Sequence, residues 1–153
     1  MDTELHTWKQ AGAVSLWRYT EFKHKFGGWH LSADSAGIAS LLALVQALQS
    51  APGSHRTISV TPPSDRLLKV PNYQQGAALW AAPKKWQLRF SAVSATWLFP
   101  AQMEPAELCF GREYLPQLVA GLEGIPKGEG DFCIGSPADG NLALWFWWRQ
   151  GAA

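Results

Sequence analysis

Residues 32–61 read SADSAGIASLLALVQALQSAPGSHRTISVT and contain two periodicities in succession. The first part has apolar residues at three- and four-residue steps, which predicts an amphipathic helix from about Ser32 to Gln49. Ser32 or Asp34 is the expected cap, and Ala51-Pro52-Gly53 ends the helix. Arg56–Thr61 then alternates between apolar and polar residues, as a half-buried strand does. The residues that form the helical stripe are Ile38, Leu41, Leu42, Val45 and Leu48.

A similar succession occurs in the second half of the chain. Residues 112–123 predict a second helix, Gly124–Gly130 a turn, and Asp131–Ile134 a strand. Each half therefore runs strand, strand, helix, Pro/Gly loop, strand, which indicates a possible internal duplication of that unit. Leucine-rich helices resemble each other easily, so an accidental likeness stays open. The stripe of the second helix is Leu115, Leu118, Val119 and Leu122.

The remaining strands are predicted from alternation and from β-branched or aromatic residues. Val14–Phe22 and Trp29–Leu31 form a hairpin around Gly27 and Gly28. The other predicted strands are Lys85–Ala92, Thr96–Phe99, Glu107–Phe110 and Leu142–Trp148. We expect an α+β fold in which one antiparallel sheet of about six to eight strands carries both helices on one face. Residues 13–153 are expected to form a single domain, preceded by a flexible arm at residues 1–12.

The strand Leu142–Trp148 is apolar on both faces. Leu144 and Phe146 point to one side, and Trp145 and Trp147 point to the other. A strand of a sheet with one solvated face alternates with polar residues, so something covers the second face. Three covers are compatible with the sequence: the segment 62–84, a second copy of the chain, or a flat ligand or peptide. The first strand shows the same property, because Trp17 and Tyr19 share one side.

Residues 62–84 are the least regular part of the chain. Pro62, Pro63, Pro71 and Pro83 exclude long regular elements there. The segment nevertheless carries several large apolar side chains, and connections of this length inside a domain are often functional. We expect a long loop folded over one edge of the sheet.

Composition restricts the class of protein. The 153 residues include nine tryptophans, are 47% apolar and only 16% charged, and carry a net charge of +1, which argues against disorder. Residues 51–100 hold six basic side chains and one acidic, and residues 101–153 hold three basic and seven acidic. Two cysteines, Cys109 and Cys133, are expected as buried free thiols in strands. No leader or membrane-spanning stretch is recognised, so a cytoplasmic protein is expected.

No sequence motif indicates a reaction, so we do not expect an enzyme, a catalytic residue, a cofactor or a metal. His24 and His30 flank the predicted hairpin turn, and with Asp34 they could form a metal or acid–base site. Their expected role is that of ordinary surface or hairpin histidines. Cys133 could act as a nucleophile with His30 only if the fold brought the two together.

Three functions remain open. The first is an interaction module that binds a protein partner, or a second copy of itself, through the aromatic sheet face formed by Trp145, Trp147, Trp17 and Tyr19. The second is a small-molecule binding protein or enzyme with a pocket under the 62–84 loop. Its predicted lining is Tyr73, Trp80 and Trp86, with Arg89 or His30 as polar groups. The third is weak binding of single-stranded nucleic acid, against which the near-neutral net charge argues.

Overall fold

The computed structural model describes residues 3–20, 28–72, 79–128, 132–135 and 142–148. The helix predicted from residue 32 begins later, because the Asp34 carboxylate is its cap and accepts hydrogen bonds from Gly37 N at 2.8 Å and Ala13 N at 3.1 Å. Along the chain the helices are α1 (Thr3–Thr7), α2 (Ser35–Leu48), α3 (Asp65–Asn72) and α4 (Leu115–Gly124). The strands are β1 (Val14–Tyr19), β2 (Trp29–Ala33), β3 (His55–Ser59), β4 (Trp80–Ala81), β5 (Lys85–Phe90), β6 (Trp97–Leu98), β7 (Ala106–Phe110), β8 (Phe132–Ile134) and β9 (Leu144–Phe146).

The α+β class is confirmed, but the single antiparallel sheet is wrong. The strands form sheet A, in the order β4-β1-β2-β9-β8, and sheet B, in the order β3-β5-β7-β6. Each sheet contains one parallel pair, β2 with β9 and β5 with β7. The chain changes sheets after each of the helices α2 and α4, which local periodicity does not encode. Four helices are present in the described residues instead of the two predicted.

The two sheets have equivalent connectivity. The hairpin β1–β2 leads through α2 to the antiparallel pair β3 and β5 in the other sheet, and the hairpin β6–β7 leads through α4 to β8 and β9. In each sheet, the second strand of the hairpin pairs in parallel with the last strand of the other half. The correspondence reaches individual hydrogen bonds: Asp34 N donates to Ala13 O at 3.1 Å, and Gly111 N donates to Thr96 O at 2.9 Å. The buried residues Leu115, Leu118 and Leu122 of α4, and Ile125 directly after it, follow the same spacing as Ile38, Leu41, Val45 and Leu48 of α2.

The main core lies where the inner faces of both sheets meet α2 and α4. Its aromatic part is a stack that crosses from one sheet to the other, with Trp29 and Phe99 ring centroids 4.8 Å apart and Trp86 and Phe99 centroids 6.1 Å apart. Trp29, Trp86 and Phe99 are all essentially inaccessible to solvent. Burial of such large apolar surfaces is the dominant stabilising term, so the two halves are held together by one shared cluster.

The halves differ in the connection between their last two strands. Residues 60–84 between β3 and β5 are longer than the β8–β9 connection and contain α3 and β4. This insertion leaves sheet B and crosses to sheet A, where Thr61 N donates to Val14 O at 2.8 Å. There β4 pairs with β1 on the side opposite to β2. The segment predicted as a loop over one edge of the sheet therefore contains a helix and a short strand.

The N-terminal arm covers the edge of β3. Trp8 Nε1 donates to Ser40 O of α2 at 2.9 Å, and Arg56 Nη2 donates to Trp8 O at 2.7 Å. The Gln10 amide donates to Ser59 O and accepts from Ser59 N, both at 2.8 Å. Leu5 joins the main core. The arm thus satisfies backbone groups that an edge strand would otherwise expose.

The described part of the chain contains no helix long and apolar enough to cross a membrane. Strand β1 ends at Tyr19, and residues 21 and 22 of the predicted strand Val14–Phe22 lie outside the described ranges.

Candidate functional site

The centre of the outer face of sheet A, on the side away from the main core, is as buried as the core itself. The hairpin places Ser15 opposite Ser32 and Trp17 opposite His30, and all four side chains are 0% exposed. Because side chains of paired residues lie on the same side of a sheet, these four form one block. Two serines and a histidine thus lie on an outer face yet have no access to bulk water.

Aromatic rings surround His30. Its imidazole stacks on Trp17, with centroids 5.6 Å apart and planes at 24°, and on Trp147, with centroids 6.1 Å apart and planes at 26°. The ring of Tyr19 meets it edge-on at 4.9 Å. Strand β9 brings Trp145 opposite His30, and Trp145 stacks on Trp147 at 6.1 Å. We call Ser15, Trp17, Tyr19, His30, Ser32, Trp145 and Trp147 the aromatic cage.

A hydrogen bond fixes the chemical state of His30. Trp147 Nε1 donates to His30 Nδ1 at 2.9 Å, and an indole N–H can only donate. His30 Nδ1 therefore carries no proton, so the imidazole is neutral with its proton on Nε2. The bond joins residues 117 positions apart in the chain and connects β2 to the stretch after β9.

Two polar atoms of the cage lack partners. Ser32 Oγ and Trp17 Nε1 are buried and make no hydrogen bond within the described residues. A buried polar group without a partner costs about 1–3 kcal/mol, so such groups are rare in native structures. Trp86 Nε1 is also unpartnered, but it lies alone in the core on the inner face of sheet B. Only the outer face of sheet A combines two such atoms with a buried histidine among the described residues.

Helix α3 of the insertion covers the cage. Leu67 is 1% exposed and packs in one cluster with Trp17, Tyr19 and Trp147. The hydroxyl of Tyr19 donates to Leu68 O at 2.8 Å. Burial raises the pKa of Tyr19 to about 12. The nearby indole N–H of Trp17 has a smaller, opposite effect on this pKa, although it is too poorly aligned to form a hydrogen bond. Tyr19 is thus a protonated donor that fastens α3 at neutral pH.

The structure brings together five of the predicted site residues: Trp145, Trp147, Trp17, Tyr19 and His30. Trp80 lies at the margin of the same face, opposite Tyr19 on β4, and is 39% exposed. The other predicted pocket residues are separate. Trp86 is 1% exposed in the core, Arg89 lies on the outer face of sheet B, and Tyr73 is outside the described residues.

Ser15 and Ser32 were not among the predicted site residues. Their signal in the sequence was the alternation of polar and apolar residues along each strand, Val14-Ser15-Leu16 and Leu31-Ser32-Ala33. Ser32 was considered only as a helix cap, a role that Asp34 performs. Strand alternation alone would have placed both serines on the same face as Trp17 and His30.

The alternative chemical sites do not form among the described residues. Asp34 is engaged in capping α2, His24 lies outside the described ranges, and no group of three potential metal ligands exists within them. Cys133 pairs with Trp145, so the whole of β9 lies between it and His30. Both cysteines are free thiols in strands, but Cys109 is only half-buried and Cys133 is exposed, contrary to the expectation. Burial raises the pKa of both thiols, which makes them poor nucleophiles at neutral pH.

The outer face of sheet B is open. A hollow of about 180 Å³ lies on it, bordered by Arg89, Gln87, Glu107, Cys109 and Leu98 among others. The Arg89 guanidinium donates to Gly53 O at 2.7 Å, so it is held at the margin. The bordering polar side chains are partly exposed, so water solvates them.

No family model, no curated protein and no solved structure matches this chain. The physical arrangement of the cage is therefore the basis for a functional assignment.

Proposed function

We propose that this protein binds a small, flat, neutral molecule between the aromatic cage and α3. The observation that carries the proposal is the hydroxyl of Ser32, which is fully buried beside His30 and has no hydrogen-bond partner among the described residues. A ligand that supplies the missing partner removes a cost of about 1–3 kcal/mol. Trp17 Nε1 is a second atom that such a ligand would satisfy.

The walls define the ligand's shape. The indoles of Trp17 and Trp147 and the phenol of Tyr19 have ring centroids 4.9–6.1 Å from that of the His30 imidazole. Aromatic pairs favour offset-stacked or edge-on arrangements, so a planar ring system is the best complement. Apolar walls with a few convergent polar groups are typical of ligand sites.

The polar groups define the ligand's chemistry. Trp17 Nε1 is a donor only, and Ser32 Oγ can donate or accept, so the ligand must carry at least one hydrogen-bond acceptor. None of the side chains of the aromatic cage carries a formal charge, because His30 is neutral and Tyr19 is protonated. Burial of an unpaired ion is costly, so the acceptor is a neutral carbonyl or ring nitrogen and not a carboxylate.

Binding requires α3 to move, since Trp17, His30 and Ser32 are all inaccessible in the closed arrangement. The described contacts that hold α3 are the side chains of Leu67 and Leu68 and the hydrogen bond from Tyr19 to Leu68 O. Together these are worth a few kcal/mol, an amount that ligand binding can offset. Ser32 Oγ makes no hydrogen bond to His30 in the described residues, so the imidazole does not activate this hydroxyl. The proposed activity is binding.

The test uses three probes of equal planarity and different polarity. 2-Quinolone is neutral and has a carbonyl, naphthalene has no polar group, and quinoline-2-carboxylate is charged. We expect 2-quinolone to raise the melting temperature and to change tryptophan fluorescence saturably, with naphthalene weaker and the carboxylate inactive. Equal responses to all three probes, or none, would contradict the proposed site.

The variant Ser32→Ala assigns the binding to the cage. It removes the unpartnered hydroxyl and should weaken 2-quinolone binding by about tenfold, the equivalent of about 1.4 kcal/mol. Cys109→Ala is the matched control, because Cys109 occupies the corresponding position on the outer face of sheet B. The control should bind as the parent protein does.

A second candidate is the protein-interaction module, with a second copy or another protein as the partner. The observation that favours it is a pair of neighbouring apolar residues at the edge of sheet A, Leu79 at 67% exposure and Trp80 at 39%. Exposed edge strands invite pairing with another chain. Light scattering after size exclusion measures the solution mass. A stable dimer that Trp80→Ala splits would support this candidate, and a monomer would leave ligand binding as the assignment.

A further inference from the structure

The groove between α4 and β8 has an equivalent in the other half of the molecule. The N-terminal arm fills that equivalent groove, whereas no described residue fills the groove between α4 and β8. Because α4 corresponds to α2 and β8 to β3, the equivalent groove lies between α2 and β3. Residues 3–12 of the chain itself contact α2 and the edge of β3 there. No described residue plays that role against α4 and β8.

The open groove contains a small apolar hollow. Its volume is about 120 Å³, and Ala120, Gly121, Gly124, Phe132 and Phe146 line it. The hollow exists because α4 has very small residues on this side. A side chain at Gly121 would place its Cβ 2.8 Å from the ring of Phe146, so the helix can approach β9 only with glycine there. An apolar cavity of roughly 150 Å³ holds a benzene ring, so this hollow has room for a leucine-sized group.

Phe132 marks the entrance. It is 37% exposed, and its ring lies 5.7 Å from that of Phe146. In the other half the corresponding position on β3 is Arg56, since Arg56 pairs with Leu88 as Phe132 pairs with Phe146. The Arg56 guanidinium stacks at 5.6 Å over the ring of Trp8. An exposed phenylalanine at this position offers an equivalent stacking surface for an incoming aromatic side chain.

We propose that the α4–β8 groove binds an apolar segment of a partner protein whose chemistry matches residues 3–12 of this chain. Such a segment places a leucine in the hollow and an aromatic ring on Phe132 three residues later, as Leu5 and Trp8 are spaced. A glutamine two residues beyond the aromatic residue pairs with the outer backbone edge of β8, at which no described strand pairs, as Gln10 pairs with Ser59. This surface is independent of the aromatic cage, which lies on the outer face of the same sheet.

The probe is a synthetic peptide with the sequence of residues 3–12, TELHTWKQAG, titrated into the full-length protein. Amide chemical shifts in ¹⁵N spectra locate the binding, and anisotropy of a fluorescein-labelled peptide gives Kd. We expect saturable, submillimolar binding with the largest shifts at residues 120–124 and 132–134. Replacement of the peptide leucine by alanine should weaken Kd by about tenfold or more, because a leucine-sized burial is lost.

The variant Ala120→Leu tests the hollow from the protein side. Ala120 is exposed on α4, so leucine is tolerated by the helix and fills the hollow. It should weaken peptide binding by about tenfold or more. The matched control Ala43→Leu makes the same change at the corresponding exposed position of α2 and should leave Kd unchanged.

Three results would overturn the proposal. The first is the absence of shifts up to the solubility limit of the peptide. The second is a set of shifts confined to α2 and β3, which would mean that the peptide only exchanges with the chain's own arm. The third is self-association of the protein that Ala120→Leu abolishes, which would assign the groove to a second copy.

Discussion

The outer faces of sheets A and B occupy equivalent places in the two halves but have opposite chemistry. The register places His30 and Trp145 side by side on sheet A, and Glu107 and Gln87 side by side at the corresponding point of sheet B. The first face is covered by α3, and the second meets water. The connectivity of the fold is the same in both, so the difference comes from the insertion that covers only one of them. Whether a sheet face is apolar or polar therefore depends on whether it is covered, and not on the position of its strands in the fold.

The largest expected effect on stability comes from a comparison of two corresponding positions, Trp147 after β9 and Arg89 within β5. Trp147→Ala should destabilise the protein by about 3–5 kcal/mol, because it leaves a cavity and removes the donor to His30. Arg89→Ala, at the corresponding place on sheet B, should cost less than about 1 kcal/mol, since its hydrogen bond to Gly53 O is exposed. Urea denaturation measures both. Similar losses at the two positions would mean that the faces are not distinguished by burial.

A second test removes the main apolar anchor of α3. Leu67→Ala should cost roughly 2–3 kcal/mol, because the side chain is 1% exposed and packs against the cage. Hydrogen exchange should quicken at the amides of β1 and α3, while those of sheet B keep their protection. Leu98→Ala is the control, since Leu98 lies on the outer face of sheet B at 50% exposure and should change stability by less than about 0.5 kcal/mol. Uniformly faster exchange would contradict a role of α3 as a separate cover.

A third test concerns the unpartnered hydroxyl. Ser32→Ala should raise the free energy of unfolding by about 1 kcal/mol in the absence of ligand, because it removes a buried polar atom that no described residue satisfies. Ser15→Ala is the matched control on the opposite strand, and Ser15 Oγ is not among the buried atoms without a partner. Calorimetric melting of both variants decides the point. A loss of stability in Ser32→Ala would show that the hydroxyl is satisfied in solution and would remove the basis for ligand binding.

The smallest expected effect concerns pH. Burial raises the pKa of Tyr19 to about 12 from its usual value of 10.0, so the folded chain holds this proton more tightly than the unfolded chain. The resulting stability is complete below about pH 10 and is lost as the pH rises from about 10 to about 12. Tyr19→Phe should therefore flatten the stability profile in this range and cost about 1 kcal/mol at pH 7, where the hydrogen bond to Leu68 O is lost. An unchanged profile would mean that Tyr19 does not fasten α3.

Local sequence patterns predicted the elements that carry strong periodicity. The stripe of α2 and the alternation of β5 were both readable, because helix and strand repeats of 3.6 and 2 residues are properties of the chain itself. The two-sided apolar character of Leu142–Trp148 predicted correctly that its second face is covered. The sequence left three covers open, and the structure places α3 there.

The strand order could not be predicted from the sequence, for a physical reason. Parallel pairs such as β2 with β9 join segments that are far apart in the chain. The periodicity of a strand does not determine which other strand it pairs with. The cage depends on such a pair, since the hydrogen bond from Trp147 to His30 spans 117 positions. The separation of Trp86 and Arg89 from the cage follows from the same cause, because β5 belongs to the other sheet.

The sequence by itself determined the α+β class, the helices α2 and α4, and the presence of covered aromatic strands. Those features depend on residue spacing, on capping groups and on the cost of exposing tryptophan. The tertiary structure alone decided that the strands divide into two sheets. It also decided that His30 is a neutral acceptor among rings from β1, β9 and the stretch after β9, and that Ser32 Oγ has no partner among the described residues. These properties arise from contacts between segments that are distant in the sequence, so they form only when the strands pair in their final order.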